Sequence, residues 1–204
     1  MVCVFIANPK RGKMKVAQIA VTVSMGILLA FSANAQDTKP AEAAASTAPI
    51  ANPVSTFVKQ QLTRSSKNIV AAAEALPADK YSFKPMPEMN TFAHLAMHII
   101  ETNNGLCSKI SGTAAPDSVK FADTDPKDKL VSGLKASFDF CTTALANVDD
   151  SKLSDAMSLF GGRFQTSRAG ALIALSGSWN DHYGEQAMYL RLNGILPPTA
   201  QPKQ

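Results

Sequence analysis

Between Pro53 and Pro198 the apolar residues recur every three or four positions in four separate stretches, with no sustained alternation of apolar and polar residues. Such spacing is the buried face of an amphipathic helix, so the pattern predicts an all-α domain built as a four-helix bundle. The first helix is expected from about Val54 to Leu76, with Phe57, Val58, Leu62, Ile69, Ala72 and Leu76 turned inward and Pro77 as its stop. The second runs from about Thr91 to Ile110, capped by Asn90 or Thr91, with Phe92, Leu95, Ile99, Leu106 and Ile110 in register and Gly112 beyond its end. The third has Asp125 as cap, Pro126 at the first helical position and Asp128 in the first turn. Its stripe of Leu130, Leu134, Phe138 (or Ser137), Cys141, Leu145 and Val148 has the near-heptad spacing of bundle packing. The fourth spans about Ser167 to Asn193 and closes on Arg191, Gly194 and Pro197-Pro198. Gly161-Gly162 is expected to turn the chain into it. Between the first two helices Pro85 and Pro87 favour an extended path, on which Tyr81 and Phe83 share one side and cover the bundle end.

The segment ahead of the bundle reads as an address. From Met14, the expected true start, a basic opening leads into an apolar run over about Ile19 to Phe31 and then Ala33-Asn34-Ala35, the layout of a cleaved secretory signal over residues 1–35. The run is short for a membrane span, which needs about 20 residues; an uncleaved anchor is the competing reading. Residues 36–52, rich in Ala, Pro, Thr and Ser, should be a disordered linker. Residues 53–198 then form the domain and 199–204 a tail. The implied location is outside the cytoplasm, periplasmic or secreted, with no membrane span left after cleavage.

The charge agrees with this division. The chain carries a formal +4, yet Lys10, Arg11, Lys13 and Lys15 all precede residue 36, leaving sixteen bases against sixteen acids. A neutral mature chain offers no electrostatic footprint for a phosphate backbone, so nucleic acid is excluded as the expected partner. A small-molecule ligand and a homodimer are both compatible with the sequence.

Three histidines are present, and helical angles of about 100° per residue rank them. His182 shares its side of the fourth helix with Ala171, Leu175, Trp179, Gln186 and Tyr189, and so points into the bundle. It is either a metal ligand or general base, or a core histidine bonded to Tyr81, Tyr183 or a carbonyl. His98 falls about 60° outside Leu95, a position suited to a helix seam or a pocket wall. His94 stands one turn earlier at ligand-pair spacing but about 40° further out, on the side of Glu101, where a solvated face is the default. Asp181 points about 100° away from His182. Cys107 and Cys141 each lie on an apolar face; in an exported chain they form either one disulfide or two buried thiols. A disulfide would close a loop of about 33 residues, contributing on the order of 3 kcal/mol.

Two stretches resemble a known family. ALPADKYSFKPMPEMNTFAHLAMHIIETNNGLCSKISG (75–112) is similar to the opening of DinB-like proteins, and HYGEQAMYLRLNGILPP (182–198) to their end. The resemblance implies a four-helix bundle with a divalent-metal site, zinc or nickel, near one end, and kinship to metal-dependent thiol transferases and the mycothiol-dependent isomerase group. The family pattern takes one His from the second helix and His-x-x-x-His from the fourth. His98 matches the first and His182 the last, while Ser178 stands where the third imidazole belongs, and a hydroxyl is a poor ligand for such ions. The implied function is a metal-dependent transferase or hydrolase of small molecules; the alternative is a binding or scaffold bundle that has lost its ion.

Overall fold

The computed structural model describes residues 48–116 and 120–202, so the expected signal peptide and most of the expected linker lie outside the described residues. Four helices carry the fold: α1 (Pro53–Ala75), α2 (Phe92–Ser111), α3 (Lys127–Leu145) and α4 (Arg168–Leu192). None of them is long and apolar enough to cross a membrane.

Three of the four helices begin where a side chain accepts from their first N–H groups. The Thr91 hydroxyl accepts from the His94 N–H at 3.0 Å, and the Ser167 hydroxyl from the Gly170 N–H at 3.2 Å. α1 has no side-chain cap of its own, because Asn52 sits in the left-handed region (φ 49°). Instead the Asp150 carboxylate accepts from the N–H groups of Val54 and Ser55, at 2.9 and 2.8 Å. At α3 the sequence expectation is corrected: Pro126 itself occupies the cap position, outside the first turn. Asp125 instead accepts from the Ala122 N–H at 2.9 Å and pairs with Lys129 at 2.8 Å.

Hydrogen bonds near the helix ends fix the directions. Lys127 Nζ donates to the Glu74 and Leu76 carbonyls and Lys59 Nζ to the Ala146 carbonyl, so α3 runs against α1. Arg168 Nη1 donates to the Ile110 carbonyl and the Tyr189 hydroxyl to the Asn90 carbonyl, both at 2.6 Å, so α4 runs against α2. A disulfide between Cys107 and Cys141, with Cα atoms 5.3 Å apart, joins α2 to α3 in the same direction. The order is therefore up-down-down-up, with α2 packed between α3 and α4.

The core holds Trp179, Phe92, Phe138, Ile69 and Leu134, all essentially inaccessible. Phe57 is the exception to the expected stripe, at 54% exposed. α1 turns Ser55 and Ser65 inward beside Val58, Leu62 and Ile69, and this 3-4 row leaves Phe57 on the outer side.

Two further expectations change. The chain between α3 and α4 forms a hairpin, β1 (Ala156–Leu159) antiparallel to β2 (Phe164–Ser167), with Leu159 opposite Phe164. Gly161 and Gly162, both at positive φ, turn the tip of this hairpin and do not lead into α4. Tyr81 ends a short 3-10 turn over Ala78–Lys80 in a helical conformation, not an extended one. It still covers the bundle end: its hydroxyl donates to the Ala73 carbonyl at 2.6 Å and its ring meets Phe92 edge-on. Burial pushes its phenol well above the ordinary range, with Asp128 and Glu74 adding to the effect. Phe83 meets Tyr189 edge-on beside it.

Candidate functional site

Where α2 and α4 face each other, the rings of His98 and His182 come together with centroids 5.0 Å apart and planes nearly perpendicular, at 84°. They open onto a cleft of about 330 Å³ whose walls include His94, Leu95 and His98 from α2 and His182, Glu185 and Tyr189 from α4. Glu88 to Asn90, from the connection ahead of α2, close one end. That segment is held down by the Tyr189 hydroxyl on the Asn90 carbonyl.

His182 is the better enclosed of the pair, its side chain 13% exposed. Its Nδ1 lies 3.3 Å from Glu185 Oε2, one turn further along α4. An ionised carboxylate can only accept, so Glu185 holds the proton on Nδ1 and leaves the Nε2 lone pair free for a ligand or a proton. The partners considered from sequence are engaged elsewhere: Tyr81 on Ala73, and Tyr183 on the Thr199 hydroxyl at 2.8 Å. His98 is exposed at the cleft mouth, its Nε2 3.5 Å from the Thr102 hydroxyl. Burial pushes the His98 imidazole below its ordinary pKa, and the neighbouring His182 and His94 push the same way, against Glu101 and Glu185.

The remaining sequence candidates divide clearly. His94 is half-buried on the cleft wall, not on a purely solvated face. Glu101 and Asp181 are exposed and do not line the cleft. Ser178 is half-buried one turn before His182 and is likewise not among the cleft residues. Glu185 went unforeseen, although it lies three positions beyond His182, a spacing that puts two side chains in reach on one helix.

A second unforeseen feature braces α2 against α4 within five residues of the rings. Asn103 is fully buried; its amide donates to the Ser137 hydroxyl at 3.0 Å and its Oδ1 accepts from the Trp179 indole N–H at 2.7 Å. One side chain thus ties α2 to both α3 and α4, with Ser137 donating onward to the Leu134 carbonyl.

The donor set bears on a metal ion. Catalytic zinc sites usually offer three protein ligands and an open position. Here two imidazoles meet and a hydroxyl holds the third family position. Among the described residues no three His, Cys, Asp or Glu side chains stand close enough to hold an ion. The residues suit an ion whose coordination water or a substrate atom would complete, and do not suit a tightly held resident one.

Fold and site together define a four-helix bundle with a histidine-lined cleft between its second and fourth helices. The chain belongs to the DinB superfamily, whose sequence pattern matches residues 61–184. Among solved structures it is similar to a DinB-like protein from Bacillus cereus, with a TM-score of 0.58 and 18% identity over 70% of this chain and 95% of that one. A DinB-like protein from Bacillus subtilis gives a TM-score of 0.57 and 19% identity over 72% and 99% of the two chains. A mutant of a mycothiol-dependent maleylpyruvate isomerase gives a TM-score of 0.53 and 14% identity, over 65% of this chain and 60% of that one. At these identities the likeness is one of fold. No curated protein matches the chain in sequence.

Proposed function

We propose that the chain is an exported, metal-assisted transferase or hydrolase of small molecules, with its reaction centre in the cleft between α2 and α4. The observation that carries this reading is the contact of the His98 and His182 rings, 84 positions apart in sequence yet with centroids 5.0 Å apart. His98 and His182 would hold a divalent ion such as zinc or nickel. When bound, the ion supplies Lewis acidity, polarising a carbonyl or letting a thiol or water ionise near neutral pH. The chain's own groups do the rest. Glu185 orients His182, Tyr189 holds the roof of the cleft, and the lowered pKa of His98 keeps its imidazole neutral and able to donate a lone pair.

A second reading, a binding bundle that works without an ion, is favoured by Ser178. Zinc titration by calorimetry separates the two. The first predicts weak binding by the wild type, none by His98→Ala/His182→Ala, and at least tenfold tighter binding by Ser178→His. Equal behaviour of wild type and double variant would remove the ion from the account. A folded Ser178→His that still binds no zinc would leave the binding bundle as the better description.

A further inference from the structure

His98 is shared between the cleft and a second concavity of about 320 Å³, which runs from it along α2 past Glu101, Gly105 and Lys109 to the hairpin. Leu106 and Leu159, almost fully buried, contribute to its lining, and Phe160, 59% exposed, stands beside it. Two residues here are unexplained by packing. Gly105 lies in the interior of α2, where glycine is disfavoured. A Cβ at that position would meet nothing within 4 Å, so no neighbour requires its absence. Phe160 adopts a left-handed φ of 53°, rare for a bulky side chain. The hairpin holds it there: Arg163 Nε donates to the Phe160 carbonyl at 3.2 Å, and the Gln165 amide donates to the Gly162 carbonyl and Ser158 hydroxyl, both at 3.1 Å. Backbone strain kept in place by its surroundings marks functional positions.

We infer that this groove holds the apolar body of an elongated, amphiphilic small molecule whose reacting group sits at His98 and His182, a reading that rests on the cleft being a small-molecule site. Cleft and groove each have the volume of a small-ligand site. Gly105 keeps the groove floor open and Phe160 supplies an aromatic wall. The charges set the direction. Glu101 borders the His98 end and repels an anion there, while Lys109 lies about 16 Å from His98 along the helix axis, where it can meet one. The ligand class is therefore an apolar chain or ring system with an anionic group at the Lys109 end and a neutral group at the His98 end.

Decanoate, titrated by calorimetry, is the probe. Binding should weaken at least tenfold in Gly105→Leu, which fills the groove, and at least threefold in Lys109→Gln, with thermal melts no lower than wild type. Zinc titration of Gly105→Leu should match wild type, so failure of the groove is told apart from failure of the ion site. Failure of the wild type to bind decanoate, or unchanged binding in Gly105→Leu, would overturn the inference.

Discussion

Replacing Asn103 by leucine keeps the number and branching of the side-chain heavy atoms and removes the one polar group that faces both Trp179 and Ser137. The Ser137 hydroxyl keeps its bond to the Leu134 carbonyl at 2.9 Å, so its proton is not orphaned. The Trp179 indole N–H, in a side chain 1% exposed, is left with no acceptor in place of one at 2.7 Å. A buried unsatisfied donor costs about 1–3 kcal/mol, and the lost bond between Asn103 and Ser137 about 1 kcal/mol more. The expected loss is about 3 kcal/mol, or roughly 6–12 °C in Tm for a domain of this size. Urea unfolding measures it. Adding Trp179→Phe removes the orphaned N–H, so the double variant should lose at least about 1 kcal/mol less than the sum of the singles. Asn103 is five residues from His98 and Trp179 three from His182, so the same substitution should also shift the His98 titration. A loss under about 0.5 kcal/mol with no coupling to Trp179 would refute the clamp.

Two other perturbations follow from the same geometry. Cys107→Ser/Cys141→Ser opens a loop of 34 residues and should lower stability by about 4 kcal/mol in the chain-entropy picture, read from urea midpoints of the two proteins. The His98 ring resonance should titrate below an ordinary imidazole and move upward in His182→Phe, which removes a neighbouring charge while keeping the bulk; an unmoved midpoint would deny the coupling. Because the folded state disfavours the proton on His98, its contribution to stability is present above the ordinary imidazole pKa and is lost as pH falls through it toward the lower folded value.

The helices were legible because each repeats its apolar spacing over about twenty residues, long enough for a 3.6-residue period to stand out. The hairpin was not: each strand is four residues long, and Met157 and Leu159 alone make no alternation. Phe57 misled because a large aromatic beside Val58 reads as core, whereas the buried row of α1 runs Ser55, Val58, Leu62, Ser65 and Ile69. The meeting of His98 and His182 was legible from the angle of each on its helix together with the family resemblance. Asn103 was not, since a polar residue among Ile99, Ile100 and Leu106 reads as a break in the stripe until its partners on two other helices are known. Asp150 as the cap of α1 lies 95 positions from Ser55, and only the tertiary fold brings it there.

The placement of the two rings follows from how α4 is tied to α2 at three levels: Arg168 on the Ile110 carbonyl, Trp179 on Asn103, and Tyr189 on the Asn90 carbonyl. His98 and His182 lie between the second and third of these ties. A site braced on both sides holds its geometry without help from its own ligands. The disulfide, by contrast, joins α2 to α3 and supplies none of the three, although Cys141 Sγ lies 3.5 Å from the Asn103 backbone carbonyl. The covalent staple and the bonds that place the rings are thus different ones. Reduction should weaken the bundle while leaving the His98 titration where it is, whereas loss of the Asn103 clamp should disturb both.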